Sequence, residues 1–237
     1  MPVNVVSIMA HQDDEMRCLG TMLACRARGD RLHFITLTDG SKGFVQNPGI
    51  ERGEAARIRD AEMRSLAGAA GAQYINLGEL DEFLYDTPAV RMRLIEAIRQ
   101  TGADLVFTHY SDDYNLDHTT VNSLVRHCAM QSCLPVLPTE TAPLASHPAI
   151  FVIDPHGPFL FPATHYVDIS AHHEEKIRLL LHHASQEEAL QLGTGTGLAE
   201  MTRRLDAYRG EQVGVAWAEA FAPMRARGAI KPYAVLP

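Results

Sequence analysis

The sequence predicts an α/β protein built on a doubly wound, mostly parallel sheet flanked by helices. Three observations predict it. Short apolar runs of strand length alternate with longer segments of helical spacing. Glycines fall where two of the helical segments should stop, at Gly71 and Gly102. Polar clusters rich in histidine and aspartate follow the apolar runs, at the strand ends where such sheets bind ligands.

Taken in order, Val3 to Met9 reads as the first strand and 14–28 as the helix after it. Leu32 to Leu37 is a second strand, stopped by Thr38-Asp39-Gly40, and a polar loop runs on to about Pro48. Segment 51–70, rich in Ala, Arg and Glu, is a helix. Tyr74 to Leu77 is a third strand, 88–101 a helix, and Leu105 to Thr108 a fourth strand. A polar loop over 109–116 leads into a helix over 117–130. The texture then changes. Residues 134–163 carry most of the prolines and read as irregular chain around a short strand, Ile150 to Ile153. Tyr166 to Ile169 is one further strand. Helices are expected over 172–192 and 198–209, separated by the glycine-rich connector 193–197. The result is a Rossmann-like arrangement in one domain, 1–237, with no repeat and no linker.

The 237 residues suffice for one sizeable core, and 46% hydrophobic with 21% charged residues is ordinary for a soluble globular chain. A formal net charge of -8 argues against a nucleic-acid partner, which would leave a basic patch or balance. No apolar run is long enough to span a bilayer, and no leader pattern follows Met1. The four cysteines form no CxxC pair and read as buried small hydrophobes in a reducing compartment. These features predict a cytoplasmic protein.

Three polar clusters sit at strand ends: His11 to Glu15, Thr38 to Gly40, and His109 to His118. In the usual doubly wound order the first and fourth strands are neighbours, so the first and third clusters face each other. His11 and Asp14 from one loop and His118 from the other make a three-ligand metal set that leaves a position for water. Zinc there would bring the water towards a neutral pKa, and Asp13 is the carboxylate left over to act as general base. Each cluster also reads as an ordinary helix cap, with Asp13 or Asp14 capping one helix and Asp117 starting another. Spacing alone leaves both readings open. Fe(II) suits the same ligand set as well as zinc does. Tyr110, Tyr114 and Trp217 offer faces on which a sugar would stack, or are simple packing.

These residues resemble the PIG-L/LmbE-like zinc deacetylases. That family's Ala-His-Pro-Asp-Asp-Glu is matched by Ala10 to Glu15, Ala-His-Gln-Asp-Asp-Glu, and its second motif by His109, Asp112, Asp117 and His118. Weaker similarities run along most of the chain: Thr38-Asp39-Gly40 with Gly43, Arg59 with Glu62, Asp81, Tyr166 to Ile169, Lys176 with His183-Ala-Ser185-Gln186, Arg209-Gly210 and Ala218 to Phe221. The resemblance implies an LmbE-like fold and removal of an N-acetyl group from a small amino-sugar-containing metabolite. It implies zinc on His11, Asp14 and His118, with Asp13 as base and Asp117 orienting its histidine neighbour or a nearby acid. Arg59 is implied to lie near the substrate, as is Asp81. Self-association into a homo-oligomer is a further expectation it carries.

Two departures stand out. Gln12 replaces the motif's proline and brings an amide that can bond substrate or loop. Asn115 stands where several relatives carry a histidine; it can donate to an oxyanion but cannot protonate a leaving amine. The acid is then sought in His183, the best placed, in His182 or His165, or in protonated Asp13. Alternatives to the deacetylase are an amidase on a larger thiol- or peptide-like conjugate and a metal-binding relative without turnover. A dinucleotide binder lacks its GxGxxG after the first strand, and a serine hydrolase lacks its GxSxG.

Overall fold

Residues 2–157 and 159–225 are described by a computed structural model. Residues 226–237, part of the expected domain, lie outside the described residues. The chain runs β1 (Asn4–Met9), a 3-10 turn (Asp14–Arg17), α1 (Leu19–Ala27), β2 (Arg31–Thr38), α2 (Arg52–Ala70) and β3 (Gln73–Glu79). It continues through α3 (Pro88–Thr101), β4 (Leu105–Thr108), α4 (Leu116–Gln131), β5 (Ala149–Ile153) and β6 (His165–Asp168). Then follow α5 (His173–Leu180), α6 (Ala184–Thr194), α7 (Leu198–Val213) and β7 (Ala218–Pro223).

Among the described residues seven strands form one sheet, in the order β3-β2-β1-β4-β5-β7-β6. The first five of that order are parallel, and β7 runs antiparallel to both β5 and β6. β1 is apolar on both sides. Val5 and Met9 join the core cluster that includes α1 and α2 residues, while Val6, Ile8 and Ala10 join the cluster of α3 and α4. A strand covered on both faces reads as a continuous apolar run, which is why β1 lacks alternation. Each such side chain taken out of water stabilises the fold by about 1.5–3 kcal/mol. Among the described residues no helix is long and apolar enough to cross a membrane.

The helix ends follow their sequence signals. Gly71 and Gly102 adopt left-handed φ values of 68° and 62° as C-caps. Thr87 caps α3 ahead of Pro88. Three departures from the expected elements matter for the site. The helix expected over 14–28 is broken at Cys18, because Asp13 takes φ 115° and sends the chain into a 3-10 turn before α1 begins. The helix expected over 172–192 is two helices, with a break at 181–183 that carries His183 inward. β7 was not expected at all: three of its six residues are alanine, and Glu219 is a charge at a position only 2% exposed.

Candidate metal centre

β1 and β4 lie side by side with Ile8 paired to Thr108, so the segments beginning at Ala10 and His109 leave the sheet together. Here the strand order turns back on itself, and a crevice opens beyond the carboxyl ends. Side-chain clamps hold its floor: the Thr108 hydroxyl donates to Ile8 O at 2.9 Å, and the Thr38 hydroxyl donates to Ala10 O at 2.8 Å. Ala10 N–H donates to His109 Nε2 at 2.9 Å. An imidazole nitrogen that accepts carries no proton, so His109 is the Nδ1–H tautomer. Burial, then the neighbouring His118, pulls its pKa down to about 4, which keeps it neutral.

His11, Asp14 and His118 converge in this crevice. His11 Nδ1 is 3.2 Å from His118 Nε2. Asp14 Oδ2 is 3.4 Å from His11 Nδ1, and Asp14 Oδ1 is 3.4 Å from His118 Nε2. Ligands about 2.0–2.1 Å from a shared tetrahedral centre lie ~3.3 Å from one another. These spacings suit a zinc-like ion shared by the three residues. Each histidine is oriented from behind by carboxylates. His11 Nε2 lies 3.0 Å from Asp81 Oδ1 and 3.5 Å from Asp117 Oδ2, and His118 Nδ1 lies 3.0 Å from Asp113 Oδ2.

The electrostatics are those of a cation site. Burial lowers the pKa of His118, but Asp14 and Asp113 outweigh it and hold the ring at about 9. His11 is likewise raised: burial opposes, and Asp117, Asp14 and Asp81 prevail. Asp14 goes the other way, held well below the usual carboxylate range against its burial, chiefly by His118. Positive charge is wanted between these groups, and a divalent ion meets that demand without protons.

Asp13 stands beside the ligands without being one of the set. Its Oδ1 accepts from Arg59 Nη2 at 3.0 Å, and Arg59 also donates to Gln12 O. Burial raises the Asp13 pKa, with Arg59 opposing. The backbone N–H of Asp13 donates to Glu15 Oε2 at 3.1 Å, and Glu15 Oε1 accepts from His183 Nε2 at 2.7 Å. The cleft over these groups encloses about 190 Å³, with Lys42, Tyr114, Asp154 and His156 in its walls.

The GlcNAc-PI de-N-acetylase (PIG-L) family matches residues 6–129, which include both motifs. This chain belongs to that family. Solved structures extend the likeness over nearly its whole length. N,N'-diacetylchitobiose deacetylase from Pyrococcus horikoshii superposes with a TM-score of 0.79 at 24% identity, covering 93% of this chain and 83% of that one. A conserved protein from Thermus thermophilus does so at 0.79 and 25%, covering 99% and 98%. The 4-carboxy-2-hydroxymuconate hydratase GalB from Pseudomonas putida scores 0.82 at 19%, covering 98% and 100%. The family fold thus carries more than one chemistry.

Of the sequence-predicted site residues, His11, Asp13, Asp14, Arg59, Asp81, Tyr114, Asn115 and His118 all line this one cleft. Several face differently from the expectation. Gln12 is fully buried beneath the Gly40 loop, with Nε2 3.3 Å from Thr38 O, so its amide serves the loop. Asn115 is the N-cap of α4: its Oδ1 accepts from Asp117 N at 2.7 Å and its Nδ2 donates to Glu82 Oε1 at 3.3 Å. Asp117 turns away from its neighbour His118, accepting from Glu82 N and Leu84 N and approaching His11 instead. Asp81 is 3% exposed and supports His11 while accepting from Lys42 N. His183 is wholly buried on Glu15 and lies outside the cleft lining.

The remaining candidates make other contacts. His182 bonds Ser65, His165 bonds Thr164, Trp217 stacks on His173 and Tyr110 meets Phe161 edge-on. None of these four lines the cleft. Residues that sequence reasoning passed over include Asp113, His109 as a neutral clamp, Arg17 and His156. Asp113 was hidden inside an Asp-Asp pair, and His156 lies in the proline-rich stretch where no pattern assigns a facing direction.

Proposed function

We propose that this chain is a metal-dependent N-deacetylase acting on a small, N-acetylated, amino-sugar-like metabolite. The observation that carries the reading is Asp13: a carboxylate left over beside a three-residue ligand set and held in place by Arg59 at 3.0 Å. A cation, which we take to be zinc, would be held by His11, Asp14 and His118 and would supply Lewis acidity and an acidified water. Asp13 takes the proton as oxygen adds to the acyl carbon. It returns that proton to the amine nitrogen as the C–N bond breaks, because Asn115 has no proton to give. Arg59 keeps Asp13 aimed through both steps. The cleft of about 190 Å³ is small against the usual ligand-pocket range of roughly 300–1,000 Å³. It suits the acyl group and the unit bearing it. The four cysteines are all unpaired thiols, in keeping with a cytoplasmic setting.

The test is acetate release by metal-loaded protein from N-acetylglucosamine and its conjugates, with Asp13→Asn as control and metal analysis of protein purified without added metal. No acetate from the whole panel, with one metal bound per chain, would overturn the reading. A second reading has one observation in its favour. With Asn115 committed to its helix, Asp13 would serve as the sole proton carrier, and addition of water to a conjugated carboxylated enoate needs only that the proton it takes from water pass to the α-carbon as oxygen adds at the β-carbon. Loss of enoate absorbance with the same protein distinguishes it.

A further inference from the structure

The connection between β5 and β6 brings His156 into the cleft wall. Arg17, at the end of the 3-10 turn, is 8% exposed and places Nη2 3.1 Å from His156 Nδ1. A guanidinium has five donors, no acceptor and a permanent charge, so the bond has one possible sense. Arg17 donates and His156 Nδ1 accepts, which leaves the ring's single proton on Nε2. Burial, and then the charge of Arg17, pulls the His156 pKa down and keeps the ring neutral. The outcome is a fixed, uncharged N–H donor.

Tyr114 ties that donor to the metal centre. Its ring sits edge-on to His118 at 5.9 Å and to His156 at 6.2 Å between centroids, so both imidazoles border the same small space. Two of the cleft's other donors are committed elsewhere. Asn115 caps α4 and bonds Glu82, and Arg59 holds Asp13 and Gln12 O. Hydrolysis of an amide still requires a donor for the oxygen that becomes negative as the acyl carbon turns tetrahedral.

We propose that His156 donates through Nε2–H to the acyl oxygen of the substrate, and that Arg17 is the positioning residue that fixes this tautomer. The donor stays protonated throughout, so it stabilises charge and transfers no proton. The assignment rests on the deacetylase reading only for the identity of that oxygen.

Imidazole ¹H–¹⁵N correlation spectra of the metal-loaded full chain should show His156 protonated on Nε2, and Arg17→Met should move proton density to Nδ1. Acetate, the product of any deacetylation, is the binding probe. Its titration should shift the His156 Nε2 resonance, and His156→Ala should weaken acetate about tenfold with the metal content unchanged. His156→Gln, which keeps an amide N–H, should recover part of that loss. On a turned-over substrate, His156→Ala should lower kcat by about 10²–10³. A proton on Nδ1, or equal acetate affinity in wild type and His156→Ala, would overturn the assignment. If no substrate releases acetate, the functional reading falls, while the tautomer and the acetate titration still decide the role of His156.

Discussion

His183 Nε2 lies 2.7 Å from Glu15 Oε1, and both side chains are sealed from solvent. The pair does not touch the cleft, yet Glu15 uses its other oxygen to hold the N–H of Asp13, whose φ of 115° is costly for a residue with a Cβ. A donor at the N-cap of α6 thus sets the backbone of the base. His183→Gln, which retains a donor, should fold and bind metal, while kcat falls about 10–100-fold with little change in KM. His183→Ala leaves a buried unpaired carboxylate and should cost about 3–5 kcal/mol in denaturant unfolding. A His183→Gln enzyme with unchanged kcat would detach Glu15 from catalysis.

The carboxylates behind the histidines give a second prediction. Asp113 Oδ2 and Asp81 Oδ1 each sit 3.0 Å from the rear nitrogen of a candidate ligand. Asp113→Asn and Asp81→Asn should each weaken metal binding about 10–100-fold, measured by chelator competition. Asp14→Ala, which removes a ligand, should abolish stoichiometric binding. Chelation should also lower the melting temperature of the wild type, since an ion at 1,000 times its Kd adds about 4 kcal/mol to folding.

Asp13→Asn separates binding from turnover. The amide keeps the shape of the side chain and loses the basic oxygen. Metal content should stay at one per chain while kcat falls about 10²–10⁴-fold. Loss of metal in this variant would instead place Asp13 among the ligands.

Much of this was legible because two kinds of pattern are local. Strand-length apolar runs and capping glycines fixed β1 to β4 and α2 to α4 to within a few residues, and β1 beside β4 follows from the doubly wound order. The approach of His11, Asp14 and His118 then required only that two loops meet. What sequence could not supply was direction. Gln12 and Asn115 are polar residues in site loops, and only the folded backbone shows that one serves the Gly40 loop and the other caps α4. Glu219 concealed β7 for a related reason: a buried charge reads as surface until its partner is known.

Gly40 is a backbone requirement of the site. Its φ is 64°, and a Cβ placed there would fall 2.2 Å from Gln12 Oε1 and 2.9 Å from Arg59 Nε. Gly40→Ala must therefore push on the two residues that bracket Asp13, besides straining the turn. A loss of about 1–3 kcal/mol is expected, together with lower kcat and retained metal. Full activity in Gly40→Ala would mean that the loop moves without consequence for Asp13.

Lys176 is fully buried and bridges two carboxylates, Asp206 Oδ2 at 2.7 Å and Glu219 Oε1 at 2.8 Å. Glu219 in turn accepts from Gly20 N and Thr21 N, fastening the start of α1 to β7. Burial alone would lower the Lys176 pKa, but Glu219 and Asp206 raise it above its ordinary 10.5. A raised folded-state pKa contributes stability that is fully present below 10.5 and is lost only as pH climbs through the folded value, so neutral pH retains all of it. Lys176→Met removes the cation and leaves two buried carboxylates facing each other, at a cost of about 3–5 kcal/mol near pH 7. Those carboxylates would then have raised pKa values in the folded variant and take up a proton on folding. The deficit relative to wild type should therefore shrink as pH falls towards about 5. Urea unfolding of both proteins between pH 5 and pH 8 measures it, and a deficit independent of pH would show that the lost packing of the lysine stem, not its charge, holds α1 to β7.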